Sequence, residues 1–196
     1  GAELIGGTPP EGDVELIVLA LEALGRLGIA PVEVKLAHAG LLKTFSREFG
    51  LEGPEGVEMF GRVLEGDPKA LGKMKQERPA LEKPLDLLFG MQGTSCAFLE
   101  NLKSVFSSSL PALHPSLEEM GKVARLLDAN GCCYQVNFAA GKDFEYYTGT
   151  IFQFYVSGEK VGGGGRYDEL LALVGGGRRP ASGFALYVDH LMGLVK

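Results

Sequence analysis

Tyrosines, glycines and an arginine crowd into one stretch of this chain, and together those residue types can grip a small polar ligand. From Lys142 to Leu171 it reads KDFEYYTGTIFQFYVSGEKVGGGGRYDELL. Tyr146 and Tyr147 precede a Thr-Gly turn, Phe152, Phe154 and Val156 alternate against Gln153 and Tyr155, and Gly162 to Gly165 run into Arg166-Tyr167-Asp168. Successive glycines let the main chain approach a ligand closely. An arginine straight after them brings a planar fork of donors suited to carboxylate or phosphate, and tyrosine hydroxyls add hydrogen bonds. A plainer reading of the same spacing stays open: a glycine hairpin tip followed by a solvated Arg166-Asp168 pair.

The elements that must position these residues can be read from periodicity. Ala2 to Ile5 resemble the end of a strand. Asp13 is placed as an N-cap for a helix carrying Ile17, Ala20, Leu21, Leu24 and Leu27, which Gly28 closes. Val32, Val34 and Leu36 alternate as a half-buried strand leading to His38-Ala39-Gly40, with His38 in a structural role. Residues 38–113 form a helical insertion of short amphipathic pieces, near 41–49, 55–64, 68–75, 81–89 and 96–106, with Ser107-Ser108-Ser109 and Pro111 at its exit. Its basic residues Lys69, Lys73, Lys75 and Arg78 are offset by Glu65, Asp67, Glu77 and Glu82, which describes a solvated face. Ser116 and Glu119 have capping-box spacing before a helix that Asn130-Gly131 ends. Tyr134, Val136 and Phe138 then alternate as a strand expected to pair antiparallel with the one after the Tyr-Tyr turn. A short helix over 168–174, a strand over 183–187 and a helix over 188–195 complete the chain. Helices mixed with antiparallel strands in this way predict an α+β domain.

Composition narrows the function classes. The 196 residues are 45 % apolar and 22 % charged, an ordinary globular balance with room for a sizeable core. No apolar run approaches the roughly 20 residues of a membrane span, and no signal-peptide pattern opens the chain, so cytoplasm is the default expectation. The net charge of −6 argues mildly against a large nucleic-acid footprint. Cys96, Cys132 and Cys133 are odd in number and lack zinc-site spacing, so buried free thiols and no metal are expected. The glycine tract lacks the Lys-Ser/Thr of a P-loop, and neither a Ser-His-Asp signature nor a metal-binding H-E-x-x-H helix appears.

Three matches in order carry a resemblance. YYTGTIF followed by GGGGRYDELL, then PASGFALYVDHL, with GAELIGG and EGDVELIVLALEAL at the start, resemble the histidyl-tRNA synthetase family and, equally, its non-catalytic paralogue, the regulatory subunit of ATP phosphoribosyltransferase. Their order and gaps fit over nearly the whole chain. The resemblance implies a class II synthetase-like antiparallel sheet flanked by helices. It further implies that the dimer-forming motif and the catalytic loop of the second motif lie upstream, and any anticodon-binding domain downstream, of a partial core at 1–196. It assigns histidine binding to Glu3, facing the imidazole, with Tyr146, Tyr147, Gly163, Gly164 and Arg166.

Two positions depart from the ligase pattern. Lys142 stands where the synthetases carry a catalytic arginine, and Asp189-His190-Leu191 stands where they carry Glu-Arg-Leu, whose arginine contacts ATP. Lysine loses the bidentate fork, and an imidazole is no substitute for a permanently charged guanidinium. Each exchange is expected to cost on the order of a hundredfold in rate. The resemblance therefore implies a histidine-binding regulatory subunit with no catalytic residues and no cofactor, working with a short-form catalytic ATP phosphoribosyltransferase, the full-length core being a homodimer. The alternative is a fragment of a histidyl-tRNA synthetase, with ATP, Mg and tRNA as its partners.

Overall fold

The computed structural model of the chain describes residues 1–90, 93–107, 110–141 and 144–195. Among them, six strands form one sheet: β1 (Ala2–Ile5), β2 (Glu33–His38), β3 (Tyr134–Val136), β4 (Thr150–Val156), β5 (Glu159–Arg166) and β6 (Ala181–Leu186), in the spatial order β1-β6-β5-β4-β2-β3. All neighbours are antiparallel except β2 and β3. Helix α1 (Glu11–Arg26) follows β1, and α7 (His114–Ala129) precedes β3. Between β2 and α7 lie α2 (Ala39–Glu48), α3 (Pro54–Leu64), α4 (Pro68–Glu77), α5 (Glu82–Gly90) and α6 (Cys96–Phe106). Two short helices, α8 (Leu170–Leu173) and α9 (Val188–Met192), flank β6.

Side chains alternate across a sheet, so the register sorts every strand residue onto one of two faces. Val34, Leu36, Phe152, Phe154 and Phe184 share the face on which α1 packs against β6 and α7 against β2. Helix α1 contributes Val14, Ile17, Ala20 and Leu24 to this core, and α7 contributes Leu117, Met120, Val123 and Leu127. The second face is covered differently. Over β4 it meets the turn at Phe138–Gly141, where Gln153 donates to the Ala140 carbonyl at 2.8 Å. Over β1, β6 and β5 it carries Glu3, Gly183, Ala185, Gly163 and Gly165, a floor almost without side chains.

The glycine tract is the interior of β5, which removes the hairpin-tip reading. Ser157 and Gly158 make the tip, both with positive φ (52° and 85°), as a two-residue turn matched to sheet twist requires. Gly165 has no room for a side chain: a Cβ there would stand 2.6 Å from the Thr150 carbonyl and 2.8 Å from the Tyr147 ring.

Several local expectations are corrected. Strand β3 does not pair with β4; it lies at the sheet edge, parallel to β2, because the chain returns to the sheet through a helical crossover rather than a tight turn. Phe138 belongs to a 3-10 turn, not to that strand. Asp13 is inside the first turn of α1 and fully buried, not its N-cap. Ser116 lies within α7, and Glu119 reaches to His38 instead of back to the helix start. His38 is buried, its Nε2 3.0 Å from Glu119 Oε2, which fits the structural role expected of it. The cysteines are free, but Cys96 and Cys132 are half-buried and Cys133 is exposed, since all three sit at helix and strand ends. Ser108 and Ser109 lie outside the described residues.

Candidate functional site

Glu3 and Tyr147 converge over the glycine floor. The register places Glu3 opposite Gly183 and Gly183 opposite Gly165. A Cβ built on Gly183 would run into the Glu3 carboxylate, and one on Gly165 would meet the Tyr147 ring. The carboxylate and the ring thus stand over neighbouring strands on one face, about 5 Å apart at floor level. Tyr146 closes the group: its ring lies 5.0 Å from that of Tyr147, edge-on, and 5.5 Å from that of Tyr167. Burial first, and then the negative charge of Glu3, pushes the Tyr146 hydroxyl above its ordinary pKa, so it stays a donor. Partial burial likewise holds the Glu3 carboxyl above its usual range.

The same alternation removes two of the expected binding residues. Arg166 pairs with Ser182, one step along from the Gly165-Gly183 row, so its side chain leaves by the opposite face. There it is buried against α1: Nη2 donates to Asp13 Oδ1 at 2.6 Å, Nε to Asp13 Oδ2 at 3.3 Å, and Nη1 to both the Gly7 carbonyl and Asp168 Oδ1 at 3.0 Å. These donors are engaged inside the fold and do not reach the surface that Glu3 shares. Gly164 also faces the helices, beside Phe184, whereas Gly163 shares the open face with Gly165. Reading the chain by residue type alone missed Tyr167, Gly165 and Gly183; counting in twos along β5 and β6 would have found them.

Of the two departing positions, only His190 can be placed against this group. Lys142 lies outside the described residues. His190, on α9, is exposed, with Nδ1 2.9 Å from the Lys160 carbonyl and its ring 5.6 Å from that of Tyr187. A carbonyl only accepts, so Nδ1 carries the proton. From Gly183 to the end of β6 is about 10 Å at the usual strand rise, which sets His190 at the opposite end of the floor from Glu3.

The site therefore offers a carboxylate acceptor, three aromatic rings with hydroxyls, and backbone without side chains beneath them. A flat ring bearing N–H groups suits that combination: its edge donates to the carboxylate and its faces lie against tyrosine. Among the described residues, no cluster of His, Cys, Asp and Glu is arranged to hold a metal ion, and no helix is long and apolar enough to cross a membrane.

Comparison with known proteins gives the family and the fold. The profile of the histidyl-tRNA synthetase family matches residues 1–191. An ATP phosphoribosyltransferase regulatory subunit from Dehalococcoides mccartyi is 44% identical over 195 residues, covering 100% of this chain and 47% of the relative. A histidine--tRNA ligase from Methanococcus aeolicus is 30% identical over 202 residues, covering 98% of this chain and 47% of the relative. The chain thus spans about half the length of the curated relatives it matches. A crystal structure described as an ATP phosphoribosyltransferase regulatory subunit/histidyl-tRNA synthetase from Bacillus halodurans superposes with a TM-score of 0.82 at 24% identity, over 99% of this chain and 52% of that one. At that identity the likeness speaks for the fold.

Proposed function

This chain belongs to the histidyl-tRNA synthetase family, and from that premise we propose that it is the histidine-binding part of a non-catalytic regulatory subunit of ATP phosphoribosyltransferase. The observation that carries the reading is the Glu3 carboxylate over Gly183, one strand from the Tyr147 ring over Gly165. Histidine enters with its imidazole N–H toward Glu3 and its ring against Tyr146, Tyr147 and Tyr167. Occupancy is then signalled to a short-form catalytic partner, giving feedback control of the first step of histidine biosynthesis. The full-length core acts as a homodimer in the cytoplasm and needs no cofactor.

Charge bookkeeping separates this reading from the ligase. Amino-acid activation concentrates negative charge at the phosphates and needs cationic forks there. Position 142 carries a lysine instead of an arginine, and position 190 offers an imidazole tied to a backbone carbonyl. The more similar of the two relatives above carries the regulatory name. The ligase reading keeps the support of the family profile itself and of the Methanococcus relative.

Calorimetry with free histidine and with ATP tests the proposal, together with histidine-dependent ATP/pyrophosphate exchange by the full-length protein. Histidine is expected to bind, ATP to bind weakly or not at all, and exchange to stay at background. Exchange above background returns the protein to the ligases. Silence toward both ligands leaves a domain used for protein interaction alone.

A further inference from the structure

The turn that carries Tyr146 and Tyr147 belongs to no strand, and the helices inserted between β2 and α7 hold it from outside the sheet. Lys43 of α2 donates from Nζ to the Tyr147 carbonyl at 2.7 Å, across 104 positions of sequence. Ala39, the first residue of α2, donates its N–H to the Gly149 carbonyl at 2.8 Å. Phe60 of α3 meets Phe144 edge-on at 5.8 Å and is itself stacked on Phe45 of α2 at 5.5 Å. From the other side the sheet holds the same turn: the Thr148 N–H donates to the Arg166 carbonyl at 2.7 Å, and the Asp168 N–H donates to Thr148 Oγ1 at 3.0 Å.

These anchors are unequal in kind. The sheet fixes Thr148 through the Arg166 carbonyl and the Asp168 N–H, and Ala39 holds Gly149 through a neutral main-chain bond. Lys43 instead places an ammonium on the carbonyl of Tyr147 itself, and a charged donor on a half-buried acceptor is worth about twice a neutral one. The Tyr147 N–H reaches the Phe144 carbonyl at 3.2 Å, so the residue whose ring stands over Gly165 is gripped through its main chain on both sides, and the charged grip comes from α2.

We propose that Lys43 is a positioning residue for the tyrosine turn, and that the inserted helices govern the ligand grip of the site through it. The inference rests on the reading of Tyr146 and Tyr147 as ligand-binding residues. It gives the insertion a task inside the site, whatever else it touches.

The test uses Lys43→Met and Lys43→Arg in the full-length protein, with calorimetric titration of free histidine and amide exchange at Tyr147 and Thr148. Lys43→Met is expected to raise the histidine Kd about tenfold with little change in thermal midpoint, and to speed exchange of both amides. Lys43→Arg, which restores a charged donor, is expected to recover most of the affinity, as a merely structural role would not require. An unchanged Kd in Lys43→Met, in a protein that binds histidine, overturns the proposal and leaves the functional reading standing. If the parent protein does not bind histidine, the functional reading falls, and amide exchange alone decides: unchanged rates in Lys43→Met overturn the clamp, faster rates uphold it. Should Lys43→Met fail to fold, Lys43→Gln keeps a neutral donor and is expected to lose about threefold in affinity, with no loss counting against the proposal.

Discussion

Asp13 Oδ1 and Arg166 Nη2 stand 2.6 Å apart, both side chains at most 3% exposed, although the residues are separated by 153 positions. The pair ties α1 to the end of β5 directly behind the candidate site. Its fork also reaches the Gly7 carbonyl after β1 and Asp168, which accepts from the Ala181 N–H of β6. Three strands that make the glycine floor are thereby fixed from the helix side. Arg166→Met strands a buried carboxylate, and a loss of about 3–5 kcal/mol is expected in urea denaturation. The double variant Asp13→Leu/Arg166→Met should recover part of that loss, because no unpaired charge then remains inside. A single variant as stable as the parent would show that the pair is not buried as described.

Glu3→Gln keeps the shape of the side chain and removes its charge. On the proposed function, histidine affinity should fall about tenfold or more, the range of a lost charge-assisted hydrogen bond. Thermal stability should hardly change, because Glu3 is exposed at a sheet edge. Equal affinity for parent and variant in a calorimetric titration would remove Glu3 from the site.

Two alanine substitutions on the glycine floor should differ in kind. In Gly183→Ala the new methyl strikes the flexible Glu3 carboxylate, so the fold survives while histidine binding is largely lost. In Gly165→Ala it stands 2.6 Å from the Thr150 carbonyl as well as 2.8 Å from the Tyr147 ring, so stability falls too, by roughly 1–3 kcal/mol. Paired melting curves and titrations separate the outcomes; identical profiles would contradict the described register.

The hydrogen bond from His38 holds the Glu119 carboxyl below its usual pKa of 4.5, against the opposing effect of burial. A depressed folded pKa means that the stabilisation is fully present above about pH 4.5 and fades as pH falls through the lower folded value. The Glu119 side chain is 55% exposed, so the contribution stays under about 1 kcal/mol. Melting midpoints of the parent and Glu119→Gln should differ by a constant amount near neutrality and draw together in acid. A gap that widens on acidification would reverse the assigned sign.

Part of the candidate site is legible in the sequence, and the departures from it share one cause. Residue type and motif order point to Tyr146, Tyr147 and Glu3, which the structure brings together on one face. Arg166 is expected in the site for its fork of donors and Gly164 for its place in the glycine tract, yet successive residues of a strand face opposite ways. Asp13 was read as a helix cap because nothing local betrays a partner on β5. Cross-strand partners likewise escaped: Tyr134 to Val136 reads as a strand, but its parallel place beside β2 depends on a crossover through the inserted helices.

The sequence by itself determined the elements, since their apolar periods and glycine stops act over a few residues, and it determined the family through segments whose order survives on the linear chain. Only the tertiary structure decided which neighbours share a surface. Strand order, cross-strand partners and ion-pair choice depend on contacts between residues far apart in the chain, such as Lys43 with Tyr147 and Asp13 with Arg166. No local pattern encodes those distances, because they exist only once the sheet has closed around its core.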